Sequence, residues 1–578
     1  MSISAIEVSL QTSRQKAWYR AIVLLGLLPL AGCIAHAPGS GGGGGGQQRI
    51  VVTVTPTPSS VAFGGTQQFT AAVTGNSNTS VTWSMSSASN CGGAIDGSSG
   101  LYTAPASPST LPVSPCQVTI TATSNADKTT TGQALANVHV VVTVSPATGT
   151  IGQGANLQYT ATVAGAPNTA QGQAVNWIAT GAGAFDNPLN NSGLYVAQPL
   201  TGGVTSVPAN VTATSQFDQQ QSGTANITIV ETDPLGTVSK VTTLPSSSCP
   251  PDSNGGLSNG TCYSMTVSCD EIADLTTYLK VNTPPSATPK GTVLFLIGSG
   301  GNGLYDSNPS WAFGYLAVEM VNASFNTVQI SFGEPFTSSQ PHGWLQGPGG
   351  VRRLACRYAT IADWVYKNPK MINANSSAAN SAPMCATGNS GGSGALAYAV
   401  YEYGLAGINT TGPPQELAMI EPTSGPPMTR LDQACVCNNS AMGKADSCTG
   451  SVPSPMCYSP SEADIIDPAY QVQGQTSPTL CSNGLSGADG SQAIRFASDS
   501  IDYQPTKAPA IPVSKTLTVN MRFGGLDTST AVPQGETWWT AVGPQPPIPA
   551  CTQDAPHDIP SVQDGATDIA NDIINLCH

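Results

Sequence analysis

In the first part of the chain, apolar and polar residues alternate in short runs. "VHVVVTVSP" (138–146) and "ANITIVET" (225–232) are two of them, and Gly, Pro, Asn and Ser cut one run from the next. A period of two in Val/Thr/Ile-rich segments predicts half-buried β-strands. The pattern occurs twice. "GGTQQFTAAVTG" from Gly64 returns as "QGANLQYTATVAG" from Gln153, "SVTWS" with Trp83 as "AVNWI" with Trp177, and "SSGLYTAP" from Ser98 as "NSGLYVAQ" from Asn191. Such a repeat predicts two β-sandwiches of about 90 residues each, over 49–140 and 141–232, with the two tryptophans in their cores.

Near Glu231 the pattern changes. "GTVLFLIGSGG" and "FNTVQISFG" read as strands, and "VRRLACRYATIADWVYKN" places Val351, Leu354, Ala355, Tyr358, Ile361, Ala362 and Val365 at helical spacing. Further on, "PMCATG" reads as a strand, "GALAYAVYEYGL" as a helix, "ELAMIEP" and "TLTVNMRFGG" as strands, and "GATDIANDIINL" as a closing helix. Strands alternating with helices predict an α/β domain over 233–578 with a mostly parallel sheet. Residues 423–509 break the rhythm and carry Cys435, Cys437, Cys448, Cys457 and Cys481. They read as a disulfide-pinned insertion that caps a site. The fold class predicted is therefore multidomain: two all-β sandwiches followed by an α/β domain.

The start of the chain carries a different signal. Arg14, Lys16 and Arg20 precede the apolar run "AIVLLGLLPLAG", which is too short for a span of about 20 residues but fits the core of a secretory signal. Leu30-Ala31-Gly32-Cys33 closes it, and this order resembles a bacterial lipoprotein signal over 1–32. The resemblance implies lipid on Cys33, attachment to a membrane, and a place in the cell envelope, at an outer membrane or cell surface. Residues 33–48 contain Gly41–Gly46 and predict a flexible tether. The cysteine count agrees with export: of 15, removal of Cys33 leaves 14, enough for seven disulfides in an oxidising compartment. Cys91 and Cys116 lie alone in the first repeat and are expected to pair. Zinc is disfavoured, because the chain has only five histidines and Cys435-Val436-Cys437 is not a zinc spacing. With 9% charged residues and a net charge of −14, no basic patch exists to neutralise phosphates, and nucleic acid is not expected as a partner.

The chemistry centres on "MCATGNSGGSGALAYAV" (384–400). A strand runs into Gly388-Asn389-Ser390-Gly391-Gly392 and a helix follows at once. G-x-S-x-G at a strand–turn–helix junction is a nucleophile elbow, in which small residues two positions either side let strand and helix approach. Ser393 sits in a similar frame but falls in the first helical turn, where a hydroxyl satisfies local main chain. Ser390 is therefore the first choice and Ser393 the second. A serine needs a base. His36 is in the tether, His139 in the first repeat, His578 at the end; His342 precedes the serine and His557 follows it, just before the last helix. The order Ser…acid…His selects His557, with His342 left to line the pocket beside Asn389. The acid expected is Asp527, at the end of "TLTVNMRFGGLD"; Asp432 is the runner-up and otherwise a pocket residue. For an oxyanion, the N–H of Gly391 and those of Gly300 and Gly301 in "LFLIGSGGNG" are the predicted donors. That loop resembles a phosphate-binding loop only superficially, since no helical run or matched acid follows.

The order of glycine loop, elbow serine, acid and histidine over 291–578 resembles the α/β-hydrolase family, and "GNSGG" with the many cysteines is similar to pectin acetylesterase-type carbohydrate esterases. The family implies a Ser-His-Asp triad, an acyl-enzyme and no cofactor. The large insertion and the absence of an apolar strand before His557 depart from its pattern. The two repeats resemble bacterial immunoglobulin-like modules, which implies spacers or weak surface-binding units. The expectation is an exported, lipid-anchored serine hydrolase acting on an extracellular ester, an acylated polysaccharide or a polyester. A peptidase with the same triad, or a surface adhesion protein whose hydrolase-like domain does no chemistry, are the other readings.

Overall fold

The computed structural model describes residues 48–578 except 88–90, 108–115, 182, 186–192, 199, 201–205, 253–256, 258–259, 286–287, 307–311, 334–335, 337–341, 379–381, 408–414, 437–445, 451–455, 472–479, 483–489, 502–516 and 542–548. The leader, Cys33, most of the tether and parts of the 423–509 segment lie outside the described residues.

The two repeats have one topology. In the first, strand Ser59–Ala62 runs parallel to Thr131–His139, which pairs with Cys116–Ser124, which pairs with Val81–Ser87. In the second, Thr148–Gly152, Ser222–Val230, Ser206–Ser215 and Val175–Gly181 follow the same order. Alternate residues of each strand turn inward. Trp83 is buried with Phe69, Tyr102 and Ile120 in one core, and Trp177 with Tyr159, Tyr195 and Ile227 in the other. Cys91 and Cys116 are disulfide-bonded in the first repeat.

The rest of the chain builds one ten-stranded sheet. Its strands are β1 (Thr237–Thr243), β2 (Thr261–Ser268), β3 (Leu275–Asn282), β4 (Gly291–Leu296), β5 (Phe325–Phe332), β6 (Met384–Asn389), β7 (Leu417–Thr423), β8 (Arg522–Gly524) and β9 (Ala550–Thr552), in spatial order β1-β2-β3-β5-β4-β6-β7-β8-β9. The two-residue strand Thr518–Val519 also pairs with β7. From β5 to β9 every pairing is parallel; β1, β2 and β3 join antiparallel. Those three strands were not foreseen, and they leave the parallel part with an antiparallel flank.

Helices cover both faces. Val293 and Phe295 of β4 pack with Leu316 and Met320 of α1 (Phe313–Asn322) and with Ile569 and Ile573 of the last helix. Leu294 and Leu296 pack on the other side with Tyr358 and Ile361 of α2 (Cys356–Lys367) and with Leu396 and Tyr398 of α3 (Gly391–Tyr401). A strand buried on both faces reads as a continuous apolar run, as "VLFL" does. The last helix, α4 (Gln563–Leu576), is tied to β6 by the Cys385–Cys577 disulfide.

Six disulfides join described cysteines, and Cys457 is also disulfide-bonded, which marks a chain folded in an oxidising compartment. Cys448 of the insertion is bonded to Cys551 of β9. No helix among the described residues is long and apolar enough to cross a membrane.

The second repeat is not a free-standing spacer. Arg352 is buried between Asp233 and Glu402, Nε to Asp233 Oδ2 at 2.6 Å, and its Nη2 donates to the carbonyl of Gln153 at 3.2 Å. Asn156 donates to Ser498 Oγ at 2.6 Å and Asp499 Oδ1 at 2.8 Å, at the end of insertion helix Gly490–Asp499. Buried polar groups of this kind are matched only when both surfaces are in place, so the repeat, the insertion and the sheet domain dock together.

Candidate active site

β6 delivers Ser390 to the edge of the sheet. The serine takes φ 51 and ψ −118, outside the regions an L-residue ordinarily occupies, and α3 begins at the next residue. The flanking glycines make this turn feasible. A Cβ on Gly388 would sit 2.6 Å from the carbonyl carbon of Gly392, and one on Gly392 would sit 2.3 Å from the carbonyl oxygen of Leu296. The Ser390 N–H is held by the carbonyl of Thr423 on β7 at 2.9 Å. Ser393 is fully buried, and its hydroxyl donates to the carbonyl of Ser390 at 2.5 Å. It supports the turn from below.

Two and three parallel strands away from β6, β8 leads to Asp527 and β9 leads to His557. His557 Nδ1 is 3.0 Å from Asp527 Oδ2. A second group shares that nitrogen: Ser529 Oγ lies 2.9 Å from it, while the Ser529 N–H donates to Asp527 Oδ1 at 2.9 Å. Ser529 was not foreseen. Only its place two residues after a predicted acid signals it, and "DTS" is too common a turn sequence to be read that way.

The electrostatics follow from these contacts. Burial raises the Asp527 carboxyl, but the hydrogen bonds from His557 and Ser529 and the imidazolium charge outweigh it and hold the group below its ordinary value. Burial lowers His557, but its bond to Asp527 and the charges of Asp527, Asp558 and Glu462 outweigh that and raise it. The imidazole is a third exposed, and the Asp527 side chain is fully covered. Among the described residues the Ser390 hydroxyl engages no partner, so serine and histidine lie on one sheet edge without a direct hydrogen bond.

The glycine loop after β4 packs on the elbow. A Cβ on Gly391 would fall 2.0 Å from the carbonyl oxygen of Ser299. As N1 of α3, Gly391 has an N–H with no acceptor inside the helix. Gly301 departs from expectation: its N–H closes a turn onto the carbonyl of Gly298 at 3.1 Å, so it is not available to an oxyanion. The Gly300 carbonyl accepts from Trp344 N at 2.9 Å, and its N–H meets no acceptor among the described residues. Ser299 takes φ 54, a left-handed conformation that turns the loop at this point. His342 lies against this loop, and a Cβ on Gly300 would meet its carbonyl carbon at 2.3 Å.

Two expected pocket residues are corrected. Asn389 is fully buried, and both ends of its amide are engaged, by Thr423 Oγ1 at 2.8 Å and Asp558 Oδ1 at 2.9 Å. Alternation along β6 turns its side chain into the sheet domain while Ser390 turns out. Asp432 binds Arg430, Oδ1 to Nε at 3.0 Å and Oδ2 to Nη2 at 2.8 Å, and does not reach His557. It sits in the short helix Leu431–Val436 of the insertion.

Arg522 of β8 lies below the acid. It is buried against Glu421 of β7 (Nε to Oε1, 3.2 Å), Thr552 of β9 (3.1 Å), and Asp568 (3.0 Å) and Asp572 of α4.

No family model matches the sequence, and no curated protein matches it. Solved structures align with parts of it. Acetyl xylan esterase 1 from Thermoanaerobacterium sp. is 11% identical, over 59% of this chain and 89% of that one, with a TM-score of 0.35. A siderophore hydrolase from Aspergillus fumigatus is 14% identical, over 52% and 93%, with a TM-score of 0.30. Mouse cadherin-23 repeats are 14% identical, over 32% and 65%, with a TM-score of 0.15.

Proposed function

We propose that the chain is an exported serine hydrolase of the α/β-hydrolase fold, anchored through lipid on Cys33, that cleaves carboxylic esters by way of an acyl-enzyme on Ser390. One observation carries this reading: a serine in a strained strand–helix turn shares the carboxyl edge of a parallel sheet with a hydrogen-bonded Asp527–His557 pair.

In this reading Asp527 keeps the Nδ1–H tautomer of His557, which leaves Nε2 free to accept the Ser390 proton. Ser390 Oγ attacks the acyl carbon, and the carbonyl π electrons move to oxygen. The oxyanion is met by the Gly391 N–H and by a main-chain N–H of the Ser299–Gly300 segment. Collapse of the tetrahedral species expels the alkoxide, which takes the proton from His557. Water, deprotonated by the same imidazole, then releases the acid and restores Ser390. The tether and repeats ahead of the enzyme suit a polymeric extracellular substrate such as an acylated polysaccharide or a polyester.

The test is labelling of the chain from Gln47 onward with a fluorophosphonate, mapped by mass spectrometry, beside Ser390→Ala. Label on Ser390 that disappears in the variant is expected. No label on folded, oxidised protein removes the hydrolase reading, and label on Ser393 removes the assignment of the nucleophile.

The raised imidazole makes a second prediction. A base works only when neutral, so kcat/KM should fall on acidification with a midpoint above the ordinary histidine value of about 6.5. A pH profile on a simple aryl ester reads it, and a midpoint near 5 would count against His557 in this setting.

A further inference from the structure

We propose that Asn389 and Asp558 form a latch that holds the His557 loop against the nucleophile elbow, which makes both of them positioning residues for catalysis. This rests on the serine hydrolase reading.

Asn389 immediately precedes Ser390, and Asp558 immediately follows His557. Their side chains meet at 2.9 Å, Asn389 Nδ2 to Asp558 Oδ1, although 169 residues separate them. The Asn389 amide is fully buried and its orientation is fixed by chemistry. Asp558 as a carboxylate can only accept, so it faces the NH2 end, and the oxygen end takes the Thr423 hydroxyl at 2.8 Å. Thr423 also accepts the Ser390 N–H on its carbonyl at 2.9 Å. One amide therefore joins the strand before the serine, the strand beside it and the loop that carries the base. On the far side, the Asp558 carbonyl accepts from Ser561 N at 2.8 Å and starts the turn Ile559–Ser561, which leads into α4. Among the described residues the His557 ring is held through Nδ1, by Asp527 and Ser529, and its carbonyl accepts from Ile559 N at 3.1 Å. The bonds at Nδ1 fix the ring's orientation from behind. The latch fixes the distance between the loop and the elbow.

The latch also places a charge. The charges of Asp527, Asp558 and Glu462 all act on the His557 ring. Asp558→Asn keeps an oxygen that can accept from Asn389 while removing the charge, whereas Asp558→Ala removes both. Position and charge can thus be separated.

Two sets of measurements test this on the secreted chain. The first is kcat and KM on an aryl ester. Asn389→Ala and Asp558→Ala should each lower kcat about tenfold, with KM within about twofold, since a small misplacement of a base acts on the chemical step. The double variant should be no worse than the poorer single one, as for groups that act together. Asp558→Asn should recover most of the loss. The second is NMR titration of His557, which is assignable among five histidines and needs no turnover. Its ring signals should move in both alanine variants, and its midpoint should fall in Asp558→Asn, which removes a charge that raises it. If the wild type turns over no ester and takes no label, the hydrolase reading fails, and the NMR result still decides the latch. Asp558→Ala, at a partly exposed site, remains informative if Asn389→Ala does not fold. Unchanged kcat in Asp558→Ala, additive losses in the double variant, or unmoved His557 signals in the alanine variants would overturn the latch.

Discussion

Asp527→Asn is expected to lower kcat by about 10⁴-fold with little change in fold or Tm. The magnitude comes from the tautomer. Asp527 can only accept at His557 Nδ1, 3.0 Å away, so the imidazole carries its proton there and leaves Nε2 bare, as the proposed mechanism requires. An asparagine can turn its NH2 toward Nδ1 and stabilise the opposite tautomer, whose Nε2–H cannot take a proton. Ser529 reinforces the error. Its hydroxyl, 2.9 Å from Nδ1, accepts from the ring or donates to Asp527 in the wild type, but is free to donate to Nδ1 once the carboxylate is gone. Thermal unfolding and steady-state kinetics on the purified variant read both halves. A kcat loss below tenfold in a folded protein would mean that Asp527 is not the acid.

The elements that set up this pair differ in how far the sequence exposes them. "MCATGNSGG" carries its own turn, because the strained residue and the glycines that permit it are neighbours. Asp527 and His557 could be ordered along the chain because few histidines compete and Asp527 follows a run that ends at the sheet edge. β9 is three residues long, however, and "PQPPIPACTQDAPH" shows no periodicity; it is a strand only because β8 offers it a ladder at Arg522–Gly524. β1 to β3 were missed for a related reason. They pair antiparallel beside a parallel sheet and alternate too weakly, as in "TCYSMTVS", to stand out from loop. The bonds that were wholly invisible are those between distant segments: Asn389 with Asp558, Cys448 with Cys551, Asn156 with Asp499. Local pattern determines which face a residue takes, but not which residue meets it there. The Gly301 amide shows the same limit at short range, since the loop's glycines are evident but which N–H closes the turn depends on φ values that glycine leaves open.

The other large effect expected is on stability. Arg522→Met should cost about 3 kcal/mol at pH 8, because it removes the buried cation that compensates the fully buried Glu421, whereas Asp568 and Asp572 are partly exposed. For a domain of this size that is a fall in Tm of roughly 4 °C. Among the described residues Arg522 is the one cation paired with Glu421, Asp568 and Asp572, and it reaches β7, β9 and α4 from β8. Glu421 is fully buried. Burial first, and then Asp572, push its carboxyl well above the ordinary range, against the pull of Arg522. A carboxyl raised on folding favours the folded state below its unfolded value near 4.3, and that contribution is lost as pH rises through the folded value. Without the arginine the folded value rises further, so the variant should lose ground most at high pH and least near pH 4, where Glu421 holds its proton in either protein. Glu421→Gln is the contrasting change. It keeps an oxygen for Arg522 Nε and removes the titration, and it should stay within about 1 kcal/mol of the wild type. Tm across pH 4 to 9 for the three proteins decides the matter. A larger loss from Glu421→Gln than from Arg522→Met, or a gap that widens toward acid, would show that the arginine does not hold this cluster together. The strands it joins are the ones that end at Asp527 and His557, so the same substitution should lower kcat before the domain unfolds.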